Sequence, residues 1–211
     1  MKTEIAFVLD SSGSMSAIEN DTIGGFNAFL TDQQDGPGTA RVTLYEFNTT
    51  VNRVYQARPV MEAPKLSDES YTPGGSTALH DAIYTAITET SDRFGAIEPT
   101  ERPDNVVVVV LTDGKENASE TSQARVREQV QYRREQEDWK FLFIGANQDA
   151  TLTAGDMGMN QDRSLTMAHS GDGTKAAYDS TSKQVNDLRE TGNVDGYDTE
   201  DRQRQKDARN S

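Results

Sequence analysis

The chain has 211 residues and a formal net charge of -14, enough length for one α/β domain with its own core and short for two. So acidic a chain lacks the clustered Lys and Arg that a nucleic-acid or anionic-membrane surface needs, and the absence of cysteine excludes disulfides, a thiolate nucleophile and a thiolate zinc site. No apolar run approaches the roughly 20 residues that span a bilayer and the amino-terminal run is too short for a signal-peptide core, so a soluble, cytoplasmic protein is expected, with neither nucleic acid nor membrane as partner.

In chain order, short apolar runs that end in polar or Gly-rich turns alternate with segments of helical period, the pattern of a parallel sheet covered on both faces. Residues 4–9 form a strand with Ile5, Phe7 and Leu9 on one face and Ala6 and Val8 on the other, leading through Asp10-Ser11-Ser12-Gly13-Ser14 into a helix over 18–34. Ile23, Phe26, Phe29 and Leu30 stripe that helix, while Gly24 and Gly25 weaken it locally and are expected to serve close helix-to-sheet packing. Residues 41–47 and 51–60 alternate about Asn48-Thr49-Thr50 and predict a hairpin, hence one antiparallel edge.

Gly74-Gly75-Ser76-Thr77 precedes a helix over 79–94. Residues 105–111, with five consecutive valines, read as a central strand ending at Thr112-Asp113-Gly114. Ser119 is expected to cap a charged helix to 138, followed by a strand over 139–145, a short helix over 150–157, a weak strand over 164–168 and a last helix over 173–188. The fold class is α/β, a mostly parallel sheet of about six strands with one antiparallel edge strand and helices on both faces. Residues 1–190 make the domain and 191–211, nearly devoid of apolar side chains, a polar tail expected to be disordered.

Three loops converge on one edge of such a sheet, where ligands of open α/β folds bind: Asp10, Ser12 and Ser14 after the first strand, Thr77 in the Gly-rich loop, and Asp113 after the valine strand. Two carboxylates and three hydroxyls suit a hard divalent cation, Mg²⁺ before Mn²⁺ or Ca²⁺, with no His or Cys to favour zinc or copper. Two Asp charges balance the ion and leave it an affinity for one more anionic oxygen. A helix cap explains Asp10 or Ser76 singly, but not five such residues across three loops.

Asp10-Ser11-Ser12-Gly13-Ser14, Gly75-Ser76-Thr77-Ala78-Leu79 and Thr112-Asp113-Gly114 resemble, in order, the three parts of the metal-ion-dependent adhesion site of von Willebrand factor A domains. The resemblance spans about residues 3–190 and implies a Rossmann-like fold. It also implies Ser12 and Ser14 as direct ligands, with Thr77, Asp10 and Asp113 ligating directly or through water, and a sixth position for a partner's acidic residue. Glu116-Asn117-Ala118-Ser119 and Gly145-Ala146-Asn147-Gln148-Asp149-Ala150 further resemble small stand-alone A-domain proteins of bacteria and their phages, for which a virion-associated setting is the alternative to the cytoplasm.

Glu116 and Asn117 are candidates to orient the ligands or touch the partner, a solvated turn being the other reading. Asp81 is explained by the helix dipole, and the only two histidines, His80 and His169, are expected in surface or packing roles. Neither G-x-S-x-G, G-x-G-x-x-G nor a P-loop is present. The expected function is a non-enzymatic, cation-dependent module that binds a Glu or Asp of a protein partner. Two alternatives stand beside it: a structural component of a phage particle or multiprotein machine, and a metal-assisted hydrolase.

Overall fold

A computed structural model describes residues 1–146 and 149–210; the resemblance carried by Asn147 and Gln148 lies outside the described residues. Six strands form one sheet in the order β3-β2-β1-β4-β5-β6. They are β1 (Lys2–Asp10), β2 (Thr39–Phe47), β3 (Val51–Pro59), β4 (Asn105–Thr112), β5 (Lys140–Ala146) and β6 (Ser164–Met167). All neighbours pair in parallel except β2 and β3, the expected hairpin.

Period-two alternation in the two central strands divides the core. Ile5, Phe7, Leu9, Val107, Val109 and Leu111 face one apolar cluster, and Ala6, Val8, Val106, Val108 and Val110 face the other. Helices α1 (Glu19–Gln34) and α5 (Gly171–Thr191) supply the first cluster. The second receives α2 (Leu79–Gly95), α3 (Gln123–Gln136) and the short α4 (Ala150–Asp156). Because β1 pairs with β2 on one side and β4 on the other, the connections diverge at β1 and open a crevice at the carboxyl ends of β1 and β4.

The two glycines of α1 do different things. Gly25 lets α1 approach α5: a Cβ there would stand 2.1 Å from the Tyr178 ring, which is fully buried and stacked on Phe7 with centroids 6.1 Å apart. The close contact is therefore helix to helix, not helix to sheet, and Gly24, with nothing within 4 Å of its Cβ position, takes no part in it. Gly25→Ala is expected to lower the melting temperature, since overpacking costs typically about 1–3 kcal/mol, more than the ~1 kcal/mol of helix propensity that alanine recovers. Gly24→Ala recovers that propensity alone and should raise it; thermal unfolding of the two variants beside wild type checks both signs.

Two expectations are corrected. Ser119 does not cap α3; Ser122 does, accepting from the Arg125 amide at 3.4 Å, while Ser119 turns back toward α2. The tail is not disordered: Thr199–Arg209 forms helix α6, opened by a capping box between Asp198 and Asp201. α6 packs on α5 and β6, so α5 is not the last helix. Its docking is polar, which is why apolar periodicity gave no sign of it. Asp201 accepts from the Ser180 hydroxyl at 2.7 Å, Gln184 exchanges two hydrogen bonds with Gly196, and Val194 and Tyr197 enter the first core cluster. Among the described residues no helix is long and apolar enough to cross a membrane.

Candidate metal centre

The centre is built where β1 and β4 end. β1 delivers Asp10 and turns at Ser11, whose amide donates to Phe47 O at the end of β2 (2.7 Å). Ser12 then opens, and Ser14 lies on, a 3-10 turn over Gly13–Ile18 that leads into α1. The Gly-rich loop is tied to this turn by two backbone bonds, Gly74 N–H to Ser11 O at 2.8 Å and Gly13 N–H to Gly75 O at 3.1 Å. Gly75 sits at φ +77°, where an L side chain is strained, and so brings Thr77 round to the strand ends.

Asp10 is fully buried. One carboxylate oxygen accepts from the Ser12 amide and the other from the Thr112 hydroxyl, both at 2.6 Å. Its backbone carbonyl accepts from the buried Tyr71 hydroxyl at 2.5 Å. Burial raises the Asp10 carboxyl above its ordinary range, the bonds from Thr112 and Ser12 oppose this, and the charge of Asp113 adds to the rise. Asp113 Oδ1 accepts from the Ser14 hydroxyl at 2.5 Å, and Ser14 lies 3.2 Å, hydroxyl to hydroxyl, from Ser12. A Cβ on Gly114 would stand 2.6 Å from Thr77 Oγ1 and 3.4 Å from Ser12 Oγ. Asp10, Ser12, Ser14, Thr77 and Asp113 are thus drawn together from three loops, all buried except Ser14, which is exposed.

Glu116 and Asn117 form the frame behind them. Asn117 clamps Thr77 from both sides of its backbone, accepting from Thr77 N–H at 2.9 Å and donating to Thr77 O at 3.1 Å. Glu116 accepts from the amides of His80, Ala118 and Ser119 and from the Ser119 hydroxyl. Although burial works against it, those bonds hold its carboxyl below the usual range. Helix α2 has no side-chain cap of its own, and its free amides are met instead from the facing loop: His80 N–H by Glu116, Asp81 N–H by Ser119 Oγ. Asp81 returns the bond, accepting from the amides of Glu120 and Thr121 at 3.0 and 2.8 Å; it anchors the loop in addition to facing the helix dipole.

The sequence reading missed His169. It follows β6 at the same sheet edge, and its Nε2 lies 2.7 Å from Asp113 Oδ2, so its role is neither surface nor packing. The signal available was position, two residues past a strand at the same edge of the sheet. Thr112 was visible within its motif but given no role, and nothing local marks Tyr71.

These residues fit a divalent cation. Neither Asp10 nor Asp113 has a Lys or Arg ion-pair partner among the described residues, and buried carboxylates of like charge need a counter-ion. Among the described residues no three His, Cys, Asp or Glu side chains gather to hold a metal, so hydroxyls must complete the donor set, as hard cations accept.

The family model of the von Willebrand factor type A domain matches residues 4–191. The chain belongs to that family. The match covers residues 10–14, 75–79 and 112–114, and α6 lies beyond it. No curated protein sequence matches it. Among solved structures, proximal thread matrix protein 1 from the mussel byssus, with a zinc-occupied adhesion-site motif, is similar at TM-score 0.62 and 18% identity, over 88% of this chain and 46% of that one. The pilus adhesin SpaC from Lactobacillus rhamnosus GG is similar at TM-score 0.62 and 12% identity, over 88% and 30%. The von Willebrand domain of the type V pili tip protein Mfa5 from Porphyromonas gingivalis is similar at TM-score 0.60 and 10% identity, over 94% and 98%. This A domain therefore spans less than half of the byssus protein and less than a third of SpaC.

Proposed function

We propose that this A domain is a non-enzymatic recognition module that holds a divalent cation, Mg²⁺ first among Mg²⁺, Mn²⁺ and Ca²⁺, through Asp10, Ser12, Ser14, Thr77 and Asp113, and uses it to bind a Glu or Asp of a protein partner. The observation that carries the reading is a centre of two buried carboxylates and three hydroxyls, with no Lys or Arg ion pair to either carboxylate among the described residues, opening to solvent at Ser14. When bound, the cation supplies positive charge for an anionic oxygen. Everything else is done by the chain: Asn117 fixes Thr77, Thr112 and the Ser12 amide fix Asp10, and Ser14 fixes Asp113.

The net charge of -14 would otherwise repel an acidic partner, so the cation determines whether such a partner can dock at all. Hydrolysis also needs cationic stabilisers, and Lys115, which adjoins these loops, is an exposed side chain. The cytoplasmic or virion-associated setting is part of the same proposal.

The test is affinity capture from the source lysate in Mg²⁺, in chelator and with Asp10→Ala. A partner that is bound by wild type in Mg²⁺ and released in the other two arms, and whose capture is then lost when its own acidic residues are neutralised, is the expected result. Capture indifferent to chelator and to Asp10→Ala, with the fold unchanged, would overturn the proposal.

A further inference from the structure

Helix α6 lies outside the family match, yet it is bonded to the loop that reaches the metal centre. Gln205, 2% exposed, spans that loop: its Oε1 accepts from the Ala168 amide at 2.8 Å and its Nε2 donates to Gly173 O at 3.0 Å. Between those two points the Ser170 hydroxyl donates to Ala208 O on α6 at 3.3 Å and accepts from Gly173 N–H at 3.2 Å. The loop is also tight, since a Cβ on Gly173 would stand 2.3 Å from Ala168 O. Residue 169 therefore has little freedom, and its imidazole meets Asp113.

The two oxygens of Asp113 are divided: Oδ1 accepts from Ser14 and Oδ2 faces His169 Nε2 at 2.7 Å. With Asp113 ionised, as a carboxylate that serves a cation must be, it only accepts, and Nε2 then carries the proton. His169 Nε2 is thereby taken up by Asp113, so through that nitrogen His169 acts on the carboxylate. Fixing Oδ2 leaves Oδ1 one orientation, toward Ser14 and the other hydroxyls.

We propose that α6 sets the affinity of the metal centre: Gln205 fixes the 168–173 loop, the loop fixes His169, and His169 orients Asp113. His169 and Gln205 are positioning residues, and the polar tail helix is a working part of the site. The inference rests on the reading that Asp113 serves a cation.

The experiment titrates the full-length chain with Mn²⁺, following free ion by electron paramagnetic resonance, with urea unfolding in chelator run on every variant. His169→Ala is expected to weaken binding about 10- to 100-fold, the usual cost of losing a residue that orients a metal ligand. His169→Gln, whose amide also donates, should recover part of the loss. Gln205→Ala weakens binding less, and its effect disappears in the His169→Ala background, because a relay gives non-additive losses. Gln205→Glu, which keeps the acceptor and loses the donor, serves if Gln205→Ala does not fold, and Gln203→Ala on the exposed side of α6 should bind as wild type. Wild-type protein that binds no Mn²⁺ overturns the metal reading itself. Wild type that binds while His169→Ala or the Gln205 variants bind equally well, or lose only stability, overturns this inference alone, as do additive losses.

Discussion

Asp10→Asn is expected to reverse the order of stability between chelator and Mg²⁺. In chelator the variant should be at least as stable as wild type, because burial makes the ionised Asp10 carboxyl unfavourable in the folded chain and Asp113 adds repulsion. A folded-state pKa above the unfolded value means that the charged form costs stability at neutral pH, and a neutral isostere removes that cost. The amide is also accommodated. It still accepts from Ser12 N–H, and its NH₂ group meets the Thr112 hydroxyl, which can accept while donating to Gly114 O, already 3.2 Å away. In Mg²⁺ only wild type gains: at an ion concentration of about 100 times Kd the gain is about 2.7 kcal/mol, or roughly 5–10 °C for a domain of this size. Thermal unfolding of both proteins in both conditions decides it, and equal shifts for the two would mean that Asp10 is not at the cation.

The parts of the molecule legible in the sequence were those written in local pattern. The alternation of Ile5 to Leu9 and the five valines before Leu111 placed the two central strands, and Asn48-Thr49-Thr50 placed the antiparallel edge. The three loop motifs were legible because each ends a strand or opens a helix at the same sheet edge. What stayed hidden depends on partners far away in the chain. His169 faces Asp113 across 56 positions, and the loop that aims it is held by Gln205, on a helix with almost no apolar residues to announce it. The α6 helix is stabilised by a capping box and by hydrogen bonds from Asp201 and Gln205 into α5 and the β6–α5 loop, contributions that hydrophobic periodicity does not register.

The same distinction separates the proposed ligands from the frame. Asp10, Ser12, Ser14, Thr77 and Asp113 were readable as candidate oxygen donors from their chemistry, whereas the tasks of Glu116 and Asn117 depend on contacts that only the fold brings about. Glu116 meets the amide ends of α2 while Asn117 grips Thr77, so one short loop after β4 both finishes a helix and fixes the backbone of a candidate ligand. Rigidity of that kind is what a cation site of neutral hydroxyls needs, since Ser and Thr bring no charge to hold the ion and must be set in place beforehand.

Gly114→Ala should disable the centre without removing any donor atom. The new Cβ would stand 2.6 Å from Thr77 Oγ1, 3.2 Å from Thr77 Cγ2 and 3.4 Å from Ser12 Oγ. Thr77 cannot retreat, because it is buried and Asn117 holds its backbone on both sides. Relief must come from the Thr77 side chain turning away or from the strand end shifting, and either displaces a hydroxyl from the cluster. The expected loss of Mn²⁺ affinity is of the size seen when a ligand's orientation is lost, about 10- to 100-fold, with overpacking costing typically about 1–3 kcal/mol of stability. Gly74→Ala is the matched control: its Cβ position has nothing within 4 Å and it belongs to the same group of loops, so its affinity should stay at the wild-type value. Equal affinity for Gly114→Ala and wild type would place Thr77 outside the coordination sphere. A loss shared by both glycine variants would instead trace the effect to general loosening of the loops.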